Sequence, residues 1–213
     1  MREMEYLDNL VERYPVLEKV KGDILKAYEM MRDCYEQGGK VLVAGNGGSC
    51  ADSEHIVGEL MKGFVKRRPV SEEFAAALRQ ADEKLGEKLA SSLQGGLPAI
   101  ALTGHPGLST AFLNDVDGSM IYAQQLYGYG KKGDVFLGIS TSGNSENIRY
   151  ALTVAKAMGI GTIGLTGKNG GKMAGMCDCT IIAPSMETYQ IQELHLPIYH
   201  ALCLMLEEHF YEV

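Results

Sequence analysis

A doubly wound α/β sandwich around a parallel five-stranded sheet is the fold this sequence predicts, and three observations predict it. Five short, continuous apolar runs lie at residues 40–44, 98–102, 134–139, 160–165 and 179–183. Helical periodicity fills the stretches between them, and this strand–helix alternation builds a parallel sheet. Runs that are apolar throughout, rather than alternating, belong to strands covered on both faces. Two of the runs also end in loops of Gly, Ser, Thr and Asn that open a helix, as ligand-binding junctions do at the carboxyl ends of such strands.

Taken in order, residues 2–38 carry apolar positions at helical spacing (Leu7, Leu10, Val11, Leu17, Val20, Ile24, Ala27, Met30, Met31, Cys34), interrupted at Pro15, and read as two helices. The first strand runs into Gly45-Asn46-Gly47-Gly48-Ser49, and the helix behind that loop carries His55 and Glu59, four apart and therefore on one face. Residues 70–96 read as an inserted Ala- and Glu-rich helix whose apolar face includes Phe74, Ala77, Leu78, Leu85, Leu89 and Leu93, a face suited to packing or to contact between subunits, with a substrate lid as the alternative. The third strand runs into Ser140-Thr141-Ser142-Gly143-Asn144-Ser145. Thr166-Gly-Lys168-Asn-Gly-Gly171-Lys172 reads as a turn or helix cap, and the last segment is an apolar helix interrupted by Gln192, His195 and His200. The 213 residues are expected to form one domain.

Each Gly/Ser junction points backbone N–H groups and hydroxyls at one spot and adds the positive end of a helix dipole, an arrangement that favours a bound anion. Two of them in one domain suit a phosphorylated, polyhydroxylated ligand. The net charge of −7 lacks the basic footprint of a nucleic-acid binder, so no direct nucleic-acid partner is expected. The first loop lacks the third glycine of a dinucleotide fingerprint, and Gly167-Lys168 stands in the wrong order for a P-loop. Five scattered cysteines fit a reducing compartment, and Cys177-Asp-Cys179 has no second pair to complete a metal site. The charged start, Met1-Arg-Glu-Met-Glu, has no apolar signal region, and no run approaches a membrane span; a cytoplasmic protein with no membrane partner is expected.

Polar groups in the final apolar helix need partners or a role. Gln192 and His200 are eight residues apart, about 12 Å along a regular helix and some 80° around it, an awkward pairing for one ion. A kink at Pro197, or a site shared between subunits, would relieve that. Imidazole, carboxylate and amide oxygen are credible ligands for zinc or a similar ion, and a carboxylate with a histidine also suits proton transfer beside a carbonyl.

These residues together resemble the sugar isomerase (SIS) domain proteins, and among them the phosphoheptose isomerases. The likeness rests on Gly45 to Ser49, His55 with Glu59, Ser140 to Ser145, Leu165 to Gly175, and Gln192-Glu-Leu-His195 with His200. The resemblance implies a flavodoxin-like domain in a homotetramer with sites at subunit boundaries, interconverting sedoheptulose 7-phosphate and glycero-manno-heptose 7-phosphate. It makes Glu59 the proton-abstracting base and His200 its acid partner. It makes His55, Glu59, Gln192 and His200 ligands of one Zn2+, and assigns substrate phosphate and hydroxyls to Ser140, Thr141, Ser142 and Ser145. Asn46, Gly47, Gly48, Ser49, Asn114, Asp115 and Gln192 would line the sugar.

Family members often carry an arginine shortly after the glutamate, where this chain has Leu60-Met-Lys62-Gly63-Phe64, leaving Lys62, Lys66, Arg67 or Arg68 to supply a charge. The alternatives are an isomerase of another sugar phosphate, or a non-catalytic SIS protein that serves as a binding platform, like the adaptors that promote replication initiation.

Overall fold

The computed structural model describes residues 2–211 and contains one parallel sheet of five strands, β1 (Val41–Ala44), β2 (Ala99–Ala101), β3 (Val135–Ser140), β4 (Gly161–Thr166) and β5 (Cys179–Ile182), ordered β2-β1-β3-β4-β5. All four pairings are parallel, with Leu42 beside Ile100 and Phe136, and Leu137 beside Ile163. Helices cover both faces, as the continuous apolar runs require. On one side Val41, Val43, Val135, Leu137 and Ile139 pack with α1 (Arg2–Arg13), α2 (Lys21–Glu36), α3 (Gly48–Met61) and α9 (Thr188–Phe210). On the other, Leu42, Ala44 and Phe136 pack with α7 (Ile121–Tyr129) and α8 (Glu146–Met158). Successive strand residues therefore feed opposite cores. Each such side chain contributes about 1.5–3 kcal/mol by leaving water.

The two amino-terminal helices are α1 and α2, joined by a 3₁₀ turn over Pro15–Val20 in which Pro15 takes the first position, where its missing N–H costs nothing. The insertion differs from the single helix expected. It is a hairpin of two helices, α4 (Glu72–Ala81) and α5 (Glu83–Ser92), because Asp82 adopts an extended conformation (φ −158°) that ends one helix while its carboxylate accepts from Leu85 N at 2.8 Å and caps the next. A bridge between Pro69 and Gln94 closes its base. Ala75 and Gly86 are buried, whereas Phe74, Leu85, Leu89 and Leu93 of the expected apolar face remain 41–59% exposed. A short α6 (Pro106–Phe112) and a single π turn over Leu113–Asp117 follow β2. Among the described residues no helix is long and apolar enough to cross a membrane.

Candidate active site

The first loop connects β1 to α3. Gly47 stands at φ +58°, a conformation that favours glycine, and lets the chain turn into the helix. Ser49 is buried at the start of α3, and its carbonyl accepts from Ser53 Oγ at 2.8 Å. The second loop connects β3 to α8. Ser140 and Ser145 share a hydrogen bond between their hydroxyls (2.8 Å), so Ser145 stands before α8 without capping it; of the leading N–H groups of that helix, Ile148 N donates to Asn147 Oδ1 at 2.9 Å. Thr141 and Ser142 lie between them, half-buried.

The two loops are braced against each other by a reciprocal amide pair. Asn46 Nδ2 donates to Asn147 Oδ1 at 3.0 Å, and Asn147 Nδ2 donates back to Asn46 Oδ1 at 2.8 Å. A third loop joins them: Met173 N donates to Gly143 O, and Lys172 N donates to Asn144 Oδ1. There Gly143 adopts φ +64° with its α-carbon so close to the Gly170 carbonyl that any side chain would collide. The Thr166 to Lys172 segment is thus the turn expected of it, leading into a 3₁₀ turn over Gly171–Gly175. Asn114 and Asp115 sit on the exposed π turn and engage each other, Asn114 Nδ2 donating to Asp115 Oδ1 at 2.8 Å, rather than either loop.

The side chains suited to proton transfer come from α3 and α9, which pack side by side. Gly48, at the start of α3, lies against Gln192, early in α9: a β-carbon there would fall 2.6 Å from Gln192 Nε2. Seven residues further along α3, about 10 Å at the helical rise, His55 meets His200 with ring centroids 5.0 Å apart. The separation of Gln192 from His200 is therefore matched by that of Gly48 from His55. Gln192 belongs to the loop end of the site and His200 to the His55 and Glu59 end, and α9 runs through Pro197 as one assigned helix. Glu59, 13% exposed at its side chain, lies with Oε1 3.3 Å from His55 Nε2 and Oε2 3.2 Å from Lys62 Nζ. His200 packs edge-on to His55, Phe64 and Tyr199. Burial first, then His55, lowers its pKa, and its Nε2 is buried without a hydrogen-bond partner. The same side chain lines a groove of about 190 Å³ between α1 and α9, with Tyr6, Asn9, Arg13, Tyr14 and Pro197.

Sequence reasoning did not single out Tyr199 and Asp52. The Tyr199 hydroxyl lies 3.2 Å from Asp52 Oδ1 and 3.0 Å from His55 Nδ1, and the ring, 1% exposed, is wedged against both histidines. Burial, with Asp52 adjoining, holds the phenol far above its ordinary range, so it stays protonated. Burial also raises the Asp52 carboxyl, an effect that the tyrosine hydrogen bond opposes. Nor was the clamp behind Glu59 legible. Arg68 and Glu207, both fully buried, pair at 2.8 Å; Arg68 donates onward to the carbonyls of Leu60 (2.8 Å) and Glu59 (3.2 Å), and Glu207 accepts from the N–H groups of Phe64, Val65 and Lys66. Burial pushes the Glu207 carboxyl up, but the backbone donors of Val65 and Phe64 together with Arg68 bring it below its ordinary value. Of the four basic residues considered for a charge near the glutamate, Arg68 is thereby committed to the clamp and Lys66 to Glu208 and the Tyr211 carbonyl, Arg67 is exposed, and Lys62 is the one on Glu59. His195, the third polar group of α9, is structural: wholly buried, it bonds through Nε2 to the Thr166 carbonyl at 2.9 Å, and burial lowers its pKa to about 4.

Among the described residues no three His, Cys, Asp or Glu side chains converge closely enough to hold an ion. The donor types nevertheless suit a borderline divalent cation, and the unpartnered His200 Nε2 and the His55 Nε2 facing a carboxylate are the atoms such an ion would satisfy. Burial pushes the Cys177 and Cys179 thiols up to about 12 and about 11.

Two loops of glycine and hydroxyl residues at the carboxyl edge of a parallel sheet, with a carboxylate and two imidazoles on the helices beside them, are the arrangement expected of a sugar-phosphate protein. The match to the SIS domain over residues 5–93 and 88–167 agrees, and the chain belongs to that family. Its relatives there are phosphoheptose isomerases. One from Aneurinibacillus thermoaerophilus is 41% identical over 199 residues, spanning 89% of this chain and 87% of the relative. One from Nitratiruptor is 36% identical over 98% of this chain and 97% of its own length. The solved structure of a phosphoheptose isomerase from Neisseria gonorrhoeae superposes with a TM-score of 0.73 at 29% identity, covering 97% of each chain.

Proposed function

We propose that this protein is an aldose–ketose isomerase that interconverts sedoheptulose 7-phosphate and glycero-manno-heptose 7-phosphate by moving a proton between adjacent carbons through an enediol. The observation that carries the reading is the placement of Glu59, His55 and His200 on two parallel helices whose amino-terminal ends meet the Gly/Ser loops. A ligand gripped by its phosphate at one end can then present its carbonyl end to the carboxylate. Relatives at 36–41% identity that carry the phosphoheptose isomerase name support the choice of substrate.

In this reading Ser140, Thr141, Ser142 and Ser145, with the first N–H groups of α8, hold the phosphate. Asn46, Gly47, Gly48, Ser49 and Gln192 hold sugar hydroxyls, and Asn114 and Asp115 reach the sugar from their exposed turn. Glu59 removes the proton from the carbon beside the carbonyl, and His200 delivers or takes the proton at the oxygen. Burial, then His55, lowers the pKa of His200 and so disfavours its imidazolium form. Lys62 supplies positive charge beside Glu59 in the place where relatives often carry arginine. A zinc ion held by His55, Glu59 and His200 would supply Lewis-acid polarisation of the carbonyl oxygen, with Gln192, which lies at the loop end beside Gly48, completing the set only from a neighbouring subunit. The exposed apolar face of the helical hairpin supports a homotetramer, and five unpaired cysteines support a cytoplasmic location.

The test is turnover of sedoheptulose 7-phosphate followed by proton NMR, with Glu59→Gln as the control. Conversion by the wild type and its loss in the variant support the assignment. Unchanged turnover in Glu59→Gln would remove Glu59 from the mechanism, and a different accepted ketose phosphate would replace the substrate.

A further inference from the structure

The chain Asp52, Tyr199, His55 has a direction, set by the number of protons available to it. A phenol has one proton and stands 3.2 Å from a carboxylate oxygen and 3.0 Å from an imidazole nitrogen. An ionised carboxylate has none to give, so the phenol satisfies it only by donating to it. The contact between Tyr199 Oη and His55 Nδ1 then needs its proton from the imidazole. The reverse order, with the phenol donating to His55, leaves the half-buried Asp52 carboxylate, whose one hydrogen-bond partner among the described residues is Tyr199, facing an oxygen lone pair, whereas Glu59 keeps Lys62 Nζ at 3.2 Å when His55 offers it no proton. Tyr199 cannot turn aside, since its ring is packed edge-on to His55 (5.4 Å) and to His200 (5.1 Å).

We propose that Tyr199 and Asp52 are positioning residues that hold His55 in its Nδ1–H tautomer, leaving the Nε2 lone pair directed at the Glu59 carboxylate. Nε2 then faces Oε1 at 3.3 Å with no proton between them, and His200 Nε2 is unpartnered close by. An arrangement of facing lone pairs is unfavourable until a cation or a substrate proton enters it. The site is thus set to receive positive charge, and Asp52 and Tyr199 set it without touching the substrate. Hydrogen-bonded partners of this kind fix ring orientation and tautomer and raise the basicity of the outward nitrogen. The consequence for metal affinity rests on the zinc assignment above; the tautomer does not.

The experiment is long-range proton–nitrogen NMR on 15N-histidine-labelled protein, stripped of metal by chelation and held at a pH where the imidazole is neutral. The expected wild-type result is a protonated Nδ1 and a lone-pair Nε2 at His55. Asp52→Ala releases the phenol to donate to His55 and moves the proton to Nε2; Tyr199→Phe keeps the ring and removes the relay, and also abolishes the Nδ1–H preference. Asp52→Asn retains an acceptor oxygen and is expected to keep the wild-type tautomer. Zinc affinity, measured by competition with a chromophoric chelator, is expected to fall roughly 10–100-fold in Asp52→Ala and Tyr199→Phe. A wild-type His55 protonated at Nε2, or a tautomer indifferent to Tyr199→Phe, would overturn the proposal. Neither reading uses turnover, so a failed isomerase assay and a failed tautomer assignment are separate results.

Discussion

The two faces of the sheet contribute different things to the site. The face covered by α1, α2, α3 and α9 supplies ionisable side chains held by other side chains: Glu59 behind the Arg68–Glu207 clamp, His55 on Tyr199, and His200 between rings. From the face covered by α7 and α8 come backbone and hydroxyl groups, held by bonds such as Asn46 with Asn147 between the two junctions and Ser140 with Ser145 within one. The difference teaches that reactivity and grip are separable here. Groups that change charge are set in a packed, buried layer, while groups that hold a fixed charge are left on glycine-bearing turns.

Breaking the packed layer is expected to give the largest effects. Glu59→Gln removes the proposed base and should lower kcat about 10²–10⁴-fold with little change in KM, read from steady-state kinetics. In the same layer, Glu207→Gln leaves Arg68 buried without a charged partner and should cost about 3–5 kcal/mol in urea unfolding. A variant as stable as the wild type would mean that water reaches the clamp.

On the grip side the effects should be smaller and appear in KM. Ser145→Ala removes a hydroxyl bonded to Ser140 and one proposed phosphate donor; at about 1.5–3 kcal/mol for a hydrogen bond to a charged group, KM should rise roughly 10–100-fold with kcat nearly kept. A fall in kcat alone would erase the distinction between the layers. A further effect, read in stability rather than in turnover, is one of pH. His195 has a folded pKa of about 4 against an ordinary 6.5, so between those values the unfolded chain binds the proton and the folded one does not. This contribution is fully present above the ordinary value and is lost as pH falls from 6.5 toward 4. Unfolding midpoints in urea should drop over that window, and less so in His195→Gln.

Much of this was legible in the sequence because it rests on local signals. The five strands read from continuous apolar runs, and both loops read from glycine and hydroxyl residues at strand ends. The hairpin at 72–92 was less legible because Asp82 lies in an unbroken helical pattern, and only its extended backbone shows that it stops one helix and caps another. Tyr199 sits in an apolar stretch and reads as core; its role depends on Asp52, 147 residues away. Arg68 and Glu207 are 139 residues apart, and a pair at that separation leaves no pattern in either segment. The eight-residue spacing of Gln192 and His200 is awkward for one helix alone, but α3 beside it carries a similar offset, the seven residues from Gly48 to His55.

The most direct test of the account is deuterium exchange from solvent into the carbon beside the carbonyl, followed by proton NMR at saturating sedoheptulose 7-phosphate. The account predicts exchange at near wild-type rate in Ser145→Ala and almost none in Glu59→Gln. Equal loss of exchange in both variants would show that grip and proton transfer are one function, and would contradict the division of labour between the two faces.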